Sequence, residues 1–331
     1  MTVATQSRIR MGVKSPAVQL VTAFYMVLPI ALLAALPILA HYHLITWLSV
    51  AFFPFWWLWR GFGVTGGLHR LLTHKSYLPV APVKFVILLG AALAVQSWMV
   101  EWVSVHLKHH DESDKKDDPH SPHAYGPGFF NEWIHGFYHA HIGWMIKGVT
   151  VENKYGQGIS KDKMVIWFDD HRWLWTISTF AAPALIEGLI LRTWPAVISA
   201  ILVNGFGSVF FVQHGTWSIN SLCHLTGQRP FNTTDQSHDL PGFYPVSEWR
   251  RNPFKAITSV MACGHAFLTL GESFHQGHHE FVSSAKHGLA YRWLAIFDLS
   301  YWIICLMERL GLATKVVRVS EIRILEARTA Q

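Results

Sequence analysis

Charged side chains are scarce in this chain. Asp, Glu, Lys and Arg make up 15% of its 331 residues, against roughly 25% in soluble domains, while 51% of the residues are hydrophobic. This balance argues against a soluble domain and favours a protein embedded in a lipid bilayer. The net charge of +6 comes from basic residues that are scattered or flank apolar stretches, where they anchor to anionic lipid headgroups. Nucleic acid is therefore not expected as a partner.

Cysteine is scarce as well. Cys223, Cys263 and Cys305 lie far apart and form no CxxC pair, which argues against a disulfide framework, a zinc ribbon and an iron–sulfur site. The sequence also contains no internal repeat and no low-complexity tract. A reduced protein that faces the cytoplasm fits these absences.

Long apolar stretches are what the chain does contain. A helix needs about 20 apolar residues to cross a bilayer, and four stretches meet this requirement, at about 18–40, 45–65, 173–193 and 195–217. Two shorter stretches, 85–99 and 256–270, are predicted to lie at the membrane interface and to return to the side they left. The predicted fold is an all-α integral membrane protein, one domain over 1–331, with a helical cytoplasmic cap at about 66–172 and 218–315.

Lys and Arg favour the cytoplasmic side of a membrane, and most of them lie in the N-terminal arm, in segment 106–172 and in the C-terminal tail. We therefore expect a multi-pass protein, in the cell membrane if bacterial, with its histidine-rich segments facing the cytoplasm. Two polar segments within the cap, 111–118 and 232–255, are predicted to be solvated loops. Part of the second, 237–254, has the character of an insertion without an assigned role.

Histidines recur at a metal-binding spacing. His106, His109 and His110 form one HxxHH box, and a second box with the same spacing follows the apolar stretch at 256–270. Positions i, i+3 and i+4 share one face of a helix, so each box is predicted to aim three imidazoles at one point. Neutral imidazole suits iron, zinc, copper or nickel. The second box consists of His275, His278 and His279.

Three further histidines complete the predicted ligand set. His69 and His74 are separated by five residues, about 140 degrees of an α-helix, so this pair could straddle two adjacent metals. His224 follows the last apolar stretch. Nine histidines exceed the four ligands of one structural zinc site, so the sequence predicts two metal ions. The other 12 of the 21 histidines are expected to be structural.

Carboxylates near the boxes are candidates to orient the ligands, because ligating histidines usually donate their second N–H to a carboxylate or carbonyl. Glu272 lies one turn before His275 and is the leading candidate, followed by Glu101 and Asp118. Asp111 and Glu112 are interpreted as solvated charges. No catalytic residue beyond the metal site is expected.

Five strings, in order, resemble the membrane fatty acid desaturases, and within them the acyl-CoA Δ9 (stearoyl-CoA desaturase-like) branch. They are GGLHRLLTHKSY (66–77), VHLKHHDESDKKDDPHSP (105–122), HIGW (141–144), NSLCHLTGQRPF (220–231) and LGESFHQGHHEF (270–281). The resemblance implies four transmembrane helices under a helical cap. It also implies two iron ions bound by His69, His74, His106, His109, His110, His224, His275, His278 and His279, with Asn220 reaching iron through water.

The same resemblance implies the reaction and its partners. Family members use O2 and two electrons to introduce a cis double bond, here expected at Δ9, into a saturated fatty acyl chain. Trp102, Gln96 and Trp144 are the candidates for lining the substrate tunnel. The family's acyl-CoA enzymes carry basic residues at places where this chain has Ser104 and Leu107, and after HIGW, where it has Lys147, Gly148 and Val149, so the carrier is acyl-CoA or an acyl-lipid. Electrons are expected from a separate ferredoxin, rubredoxin or cytochrome b5 with its reductase.

Two alternatives remain at this point. A related di-iron membrane hydroxylase would use the same histidine core and insert oxygen instead of forming a double bond. A histidine-rich membrane metal transporter would need ionisable residues inside its spans, and the predicted spans contain few of them, namely Arg60, Glu187 and His214.

Overall fold

The structure is a computed structural model that describes residues 14–240, 242, 244, 246–291 and 294–328. Most of this part of the chain is helical, as predicted. Its two strands, β1 (Leu78–Pro79) and β2 (Ala313–Thr314), pair antiparallel. This pairing joins the C-terminal part of the chain to the segment that follows the first histidine pair. The N-terminal arm before Lys14 lies outside the described residues.

The structure has 16 α-helices among the described residues. In the first half they are α1 (Pro16–Ala34), α2 (Leu36–His41), α3 (Trp47–Phe62), α4 (Ala81–Leu93), α5 (Met99–Glu112), α6 (Trp144–Lys147), α7 (Asn153–Gly156) and α8 (Lys163–Asp170). In the second half they are α9 (Arg172–Leu191), α10 (Trp194–Ser199), α11 (Ser208–Leu225), α12 (Val246–Trp249), α13 (Pro253–Leu268), α14 (His275–Glu280), α15 (Leu299–Arg309) and α16 (Glu321–Ala327).

Helices with other windings connect these elements. Short 3-10 helices occur at Pro122–Tyr125, Ile159–Lys161 and Leu294–Phe297. The π-helices are Gly63–Thr73, Phe130–Gly136, His139–Gly143 and Ala200–Gly207. A π-helix closes i→i+5 hydrogen bonds and is frequent at functional sites. The first π-helix continues α3 without a break and contains His69.

Three continuous helices in the described residues are long and apolar enough to cross a membrane: Pro16–Ala34, Arg172–Leu191 and Trp194–Leu225. They correspond to the predicted spans at 18–40, 173–193 and 195–217. The predicted span at 45–65 begins as the 16-residue helix α3 and continues into the π-helix of Gly63–Thr73. The stretch predicted at 85–99 forms α4, which ends at Leu93, and α5 starts separately at Met99.

Local sequence explains where the long helices turn. Arg192 adopts a left-handed conformation with φ of 54° and ends α9. The Thr193 hydroxyl then accepts a hydrogen bond from Ala196 N and so caps α10, while Pro195 suits the first turn because it has no N–H to leave unpaired. Thr46 caps α3 in the same way by accepting from Ser49 N. The short connection at Arg192 and Thr193 places α9 and α10 side by side, as expected for the second predicted hairpin.

A polar network lies buried between α3, α9 and the segment that joins α10 to α11. The Arg60 guanidinium donates to the carbonyl oxygens of Asn204 and Thr179, the latter at 2.8 Å. The Glu187 carboxylate accepts from Asn204 Nδ2 at 2.6 Å and from the Ser49 hydroxyl. Both ionisable side chains are thus held by fixed hydrogen bonds between helices. That arrangement suits helix packing better than a transport path.

The largest hydrophobic cluster supports the histidine-bearing segments from one side. It includes Leu88 of α4, Val100 of α5, Val165 of α8 and Ile304 of α15, all fully buried. Because α5 carries the first HxxHH box, this packing fixes the helix on which three of the predicted ligands lie.

Candidate metal centre

Nine histidines converge in two groups, and they are the nine that the sequence singles out. In the five-histidine group, His69 Nε2 lies 3.0 Å from His278 Nε2, and His106 Nε2 lies 3.1 Å from both His74 Nε2 and His110 Nε2. Within each group the candidate ligand atoms all lie within 4.8 Å of one another. The five-histidine group is His69, His74, His106, His110 and His278, and the four-histidine group is His109, His224, His275 and His279.

Each HxxHH box contributes to both groups, so the prediction that a box aims at one point is wrong. In α5, His106 and His110 join the five-histidine group while His109 joins the other. Adjacent residues on an α-helix are about 100 degrees apart, so positions i+3 and i+4 lie on opposite sides of position i. A box therefore spans two neighbouring ion sites. In α14 the division is reversed, with His278 alone in the five-histidine group.

The expectation that His69 and His74 straddle two metals is also wrong, because both belong to the five-histidine group. The segment that carries them is a π-helix, and His74 N donates to His69 O at 3.1 Å. In this i→i+5 pattern, residues five apart lie nearly in line along the helix. The local winding therefore directs both imidazoles toward one point.

Burial favours the neutral form of six of the nine imidazoles, whereas the Asp114 carboxylate outweighs burial at His224 and raises its pKa. Desolvation, reinforced by neighbouring imidazoles, holds the pKa of His74, His106, His110 and His278 well below the usual value. The pKa of His279 falls to about 4 for the same main reason, with Asp235 acting against the shift. Neutral imidazole is the form that binds transition metals.

Three carboxylates hold the outer nitrogens of the four-histidine group. His109 Nδ1 lies 3.0 Å from Asp118 Oδ2, as the sequence suggests for Asp118. His224 Nδ1 lies 2.8 Å from Asp114 Oδ2 and His279 Nδ1 lies 2.6 Å from Asp235 Oδ2. These hydrogen bonds fix ring orientation and leave the opposite nitrogen directed into the group.

The solvated-loop prediction for 111–118 and 232–255 is therefore wrong in part. Burial alone raises the pKa of Asp114, but the His224 imidazole outweighs it and holds this pKa below its usual range. Asp114 also accepts from Gln236 N at 2.8 Å, which joins the two segments. Asp239, inside the predicted insertion, accepts from Gln276 N at 2.9 Å. Sequence reasoning missed Asp114 and Asp235 because it assigned both polar segments that contain them to solvated loops.

Glu272 contacts a different histidine from the one expected. Its Oε2 lies 2.8 Å from His69 Nδ1, whereas His275 Nδ1 has no hydrogen-bond partner among the described residues. Arg70 Nη2 lies 3.0 Å from Glu272 Oε1, and His287 Nδ1 lies 3.2 Å from Glu272 Oε2. His287 is a buried residue that the sequence analysis missed, because it stands outside every box.

Glu101 lies apart from the histidine groups. No hydrogen bond in the described part of the chain joins it to a histidine. Burial raises its pKa to about 7, while the charge of Lys14 lowers it and that of Asp169 raises it. The structure thus does not bring Glu101 to the place expected for it.

An apolar cavity adjoins both groups, because its lining includes His69 and His106 of the five-histidine group and His275 of the four-histidine group. Its lining also includes Trp102, expected in the substrate tunnel, and Asn220, expected to reach iron through water, and the Trp102 ring stacks on His106 at 5.0 Å. Gln96 does not line the cavity, but its side-chain amide donates a hydrogen bond at 3.3 Å to Oγ1 of Thr216, which does. Trp144 is not part of this lining and lies beside His120, with ring centroids 5.4 Å apart.

The residues fit a pair of transition-metal ions. Imidazole nitrogens bind such ions at about 2.1 Å, so two ligands of one ion lie at most about 4.2 Å apart, comparable with the 4.8 Å limit observed here. His279 Nε2 is buried and has no partner among the described residues, although its Nδ1 is held by Asp235. A donor atom held in this way is what a metal site requires.

No family model matches the chain, but curated proteins do. The chain is 30% identical over 275 residues to a hex-5-enoyl-[acyl-carrier protein] acetylenase of Moorena producens, covering 82% of this chain and 77% of the relative. It is 32% identical over 254 residues to the Delta-9 desaturase-like 1 protein of Arabidopsis thaliana, covering 76% and 71%.

A third relative is the sn-1 stearoyl-lipid 9-desaturase of Anabaena variabilis, 30% identical over 265 residues, covering 79% of this chain and 80% of the relative. The three proteins come from different organisms, and two of the three are named as a desaturase or desaturase-like protein. Identity of this level over most of both lengths is a property of homologous enzymes, and the chain belongs to the Δ9 fatty acid desaturase family of oxidoreductases.

Proposed function

We propose that this protein is an O2-dependent di-iron acyl desaturase that introduces a cis double bond at Δ9 into a saturated acyl chain of a membrane lipid. The observation that carries the proposal is the junction of two histidine groups with one apolar cavity. His69, His106 and His275 belong to the groups and also line that cavity. A chain bound there would have its methylenes beside both metal ions.

The five-histidine group would bind one iron and the four-histidine group the other. Asn220, which lines the same cavity, would hold a water at the ion that has fewer histidines. Bound iron supplies the activation of O2 that an unactivated C–H bond requires. The overall balance is one –CH2–CH2– unit, O2, two electrons and two protons giving one –CH=CH– unit and two waters.

The protein itself positions the acyl chain relative to the metal ions. A saturated chain has no polar group at its middle, so the apolar wall must fix which carbons face the metals. Trp102 packs on His106 and forms part of this wall. Thr216 belongs to the lining and is held by Gln96. Trp144, beside His120, is assigned to the headgroup side of the path.

An acyl-lipid is the carrier that the surroundings favour. Ser104 is buried and donates to Val100 O at 2.6 Å. Lys108 is engaged by Thr150 O at 3.0 Å and by Glu152 at 3.1 Å. Ser104 is uncharged and the Lys108 ammonium is already paired, so neither side chain offers a free cation to the phosphates of coenzyme A. The Anabaena relative is named for a stearoyl-lipid substrate, which agrees with this choice.

The proposal includes four membrane spans, with α3 and the π-helix after it as the second. The histidine groups would then lie on the cytoplasmic side, under the cap formed by segments 66–172 and 218–315. A separate ferredoxin, rubredoxin or cytochrome b5 system would supply the two electrons.

The test is expression of the full chain in a bacterial host of known lipid composition that supplies a reductase and ferredoxin. Mass spectrometry of intact lipids would locate new double bonds. We expect a Δ9 monounsaturated chain on phospholipid or glycolipid, and loss of that product in the His278→Ala variant. The matched control is His41→Ala, since His41 is exposed at the end of α2.

Other products would contradict specific parts of the proposal. A hydroxylated chain without a new double bond would identify a hydroxylase. Conversion of purified acyl-CoA or acyl-carrier protein, with no change in lipid-bound chains, would refute the lipid carrier. An unchanged profile from a protein that contains two irons and receives electrons would refute desaturation of the host's acyl chains.

A further inference from the structure

An exposed aromatic surface covers the segment between the first HxxHH box and α6. We define the aromatic surface as the side chains of Phe129, Phe130, Trp133, Ile134 and Tyr138. Phe129 is 66% exposed and Phe130 is 73% exposed, with ring centroids 5.7 Å apart. So many large apolar groups on one exposed face are unusual for protein in water and mark an interaction surface.

Helix winding gathers these side chains on one face. Phe130–Gly136 and His139–Gly143 are π-helical, so residues four and five apart lie close in direction. The steps from 129 to 133 and 134, and from 134 to 138, follow this spacing. The opposite face contains Gly136, which approaches Pro122 so closely that an added Cβ would lie 1.9 Å from the Pro122 carbonyl oxygen. The segment is therefore a fixed helix with one apolar side left uncovered.

Its surroundings indicate what covers that side. The same segment continues into α6, whose Met145 packs with Met26 of α1 and Trp217 of α11. Lys14 N donates to Lys147 O at 2.8 Å. Helix α1 is one of the three helices able to cross a membrane, and its outer face, including Leu20 at 73% exposure, is apolar. The aromatic surface thus belongs to a segment bound along the first turns of a membrane helix.

Charge argues for lipid and against a charged protein partner. Within residues 129–138 the one Asp, Glu, Lys or Arg is Glu132, whose Oε1 is paired with His123 Nδ1 at 3.2 Å, and the one other titratable side chain besides Tyr138 is the exposed His135. Electrostatic complementarity, which guides transient protein partners, has little to act on here. Aromatic rings are instead the side chains enriched at the membrane–water interface.

We propose that the aromatic surface is inserted into the lipid leaflet on the side of the metal centre. The segment 129–138 is then an interfacial part of the protein and not part of a water-exposed cap. This inference rests on the membrane placement in the proposed function and is independent of its chemistry. Its ligand is the boundary between lipid headgroups and acyl chains, as for interfacial amphipathic helices.

Site-directed spin labelling tests the depth of this surface. The full chain, loaded with iron in nanodiscs, would carry Cys263→Ser and Cys305→Ser, and one label at Trp133→Cys or Phe130→Cys. Power saturation compares access of O2, which concentrates in lipid, with access of a water-soluble nickel chelate. We expect Trp133 and Phe130 labels to favour O2, like a Leu20→Cys reference in α1. The aqueous control is Gln157→Cys, an exposed polar position.

Each outcome has one meaning. If the Leu20 label favours O2 but the Trp133 and Phe130 labels behave like Gln157, the inference is wrong and the membrane placement stands. If the Leu20 label is also aqueous, the membrane placement itself fails. Protection from both reagents, together with dipolar broadening between labels, would assign the surface to a second copy of the chain and refute lipid. Ile134→Cys replaces any labelled variant that loses its iron.

Discussion

The two histidine groups differ in what holds their ligands in place. The five-histidine group has one carboxylate in contact with a ligand, Glu272 at His69, and this carboxylate also pairs with Arg70. In the four-histidine group, three of the four imidazoles have a carboxylate of their own, supplied by Asp114, Asp118 and Asp235. The group with fewer ligands therefore has more anionic support.

This difference follows from the backbone that supplies each group. His69 and His74 come from a π-helix whose winding fixes their direction, and the helix packs on α4, so little further orientation is needed. The four-histidine group instead includes His224 from the last turn of α11, whose outer nitrogen is held by a loop carboxylate. We infer that backbone geometry stabilises the first group and side-chain hydrogen bonds stabilise the second. The following predictions test this contrast.

Removal of a ligand should have the largest effect, in either group. His106→Ala and His275→Ala should each reduce product to background, because an ion that loses an imidazole loses both affinity and geometry. Iron per protein should fall from two toward one in each variant. Product by mass spectrometry and iron by elemental analysis measure this. Full activity with two irons in either variant would remove that residue from the ligand set.

Removal of a carboxylate that orients a histidine should affect the two groups to different extents. Asp114→Asn should weaken iron binding or activity by roughly 10–100-fold, since it frees His224 Nδ1 and the loop at Gln236. Asp111→Asn is the matched control, because Asp111 is exposed and pairs with Lys154 at 3.2 Å. The rate of iron loss to a chelator is the measurement.

The contrast predicts a smaller effect at the five-histidine group. His287→Gln removes one of the neighbours that hold Glu272, while Arg70 and the π-helix remain. Iron loss should accelerate less than in Asp114→Asn. Equal acceleration in the two variants would show that the first group also depends on its hydrogen-bonded neighbours.

The sequence was sufficient to predict which histidines lie together and insufficient to predict how they divide into two groups. Spacing and family resemblance selected nine histidines, and the structure brings all nine together. Their assignment to two ions depends on helix winding and on the angle between i+3 and i+4, which residue spacing alone does not reveal. His69 and His74 illustrate this, because the same spacing gives a different direction in an α-helix and in a π-helix.

Contacts between residues far apart in the sequence could not be predicted either. Asp114 and His224 are separated by 110 positions in sequence, and no local pattern links them. Apolar helices occur at the stretches 18–40, 173–193 and 195–217, and the sequence could indicate them because hydropathy is a local property. The helix at 45–65 passes into the π-helix of Gly63–Thr73, a change of winding that hydropathy does not reveal.

Acid should destabilise the metal-free protein, and mainly through the five-histidine group. The pKa of His74 and His106 is held well below its value in the unfolded chain by burial, so the unfolded state binds more protons as pH falls below about 6.5. The free energy of unfolding is therefore highest above that pH and decreases as pH falls toward 4. The carboxylates, whose pKa is lowered, lose their contribution only below about 4.

Thermal unfolding of the metal-free protein between pH 7.5 and 4.5 measures this dependence. A His74→Gln, His106→Gln double variant should flatten it more than a His275→Gln, His279→Gln double variant, since Asp235 partly opposes the lowering of the pKa of His279. An identical slope in both variants would contradict the difference between the groups.

The smallest expected effect concerns the backbone that positions the five-histidine group. Gly63 begins the π-helix, and an added Cβ would lie 2.1 Å from Ala91 N and 2.4 Å from Gly90 C. Backbone atoms of α4 cannot move aside as a side chain can, so Gly63→Ala should reduce the free energy of unfolding by about 1–3 kcal/mol. Because His69 follows within the same π-helix, iron loss from the five-histidine group should also accelerate slightly.

Gly264 in α13 provides the matched control, because no atom lies within 4 Å of its added Cβ. Gly264→Ala should leave stability unchanged or raise it by up to about 1 kcal/mol, since alanine favours a helix more than glycine does. Thermal unfolding and chelator-driven iron loss would be compared in the two variants. If Gly63→Ala destabilises the fold without changing iron loss, the π-helix tolerates displacement and backbone winding alone does not hold His69. If both variants match the unsubstituted protein, the close approach of Gly63 to α4 is itself wrong.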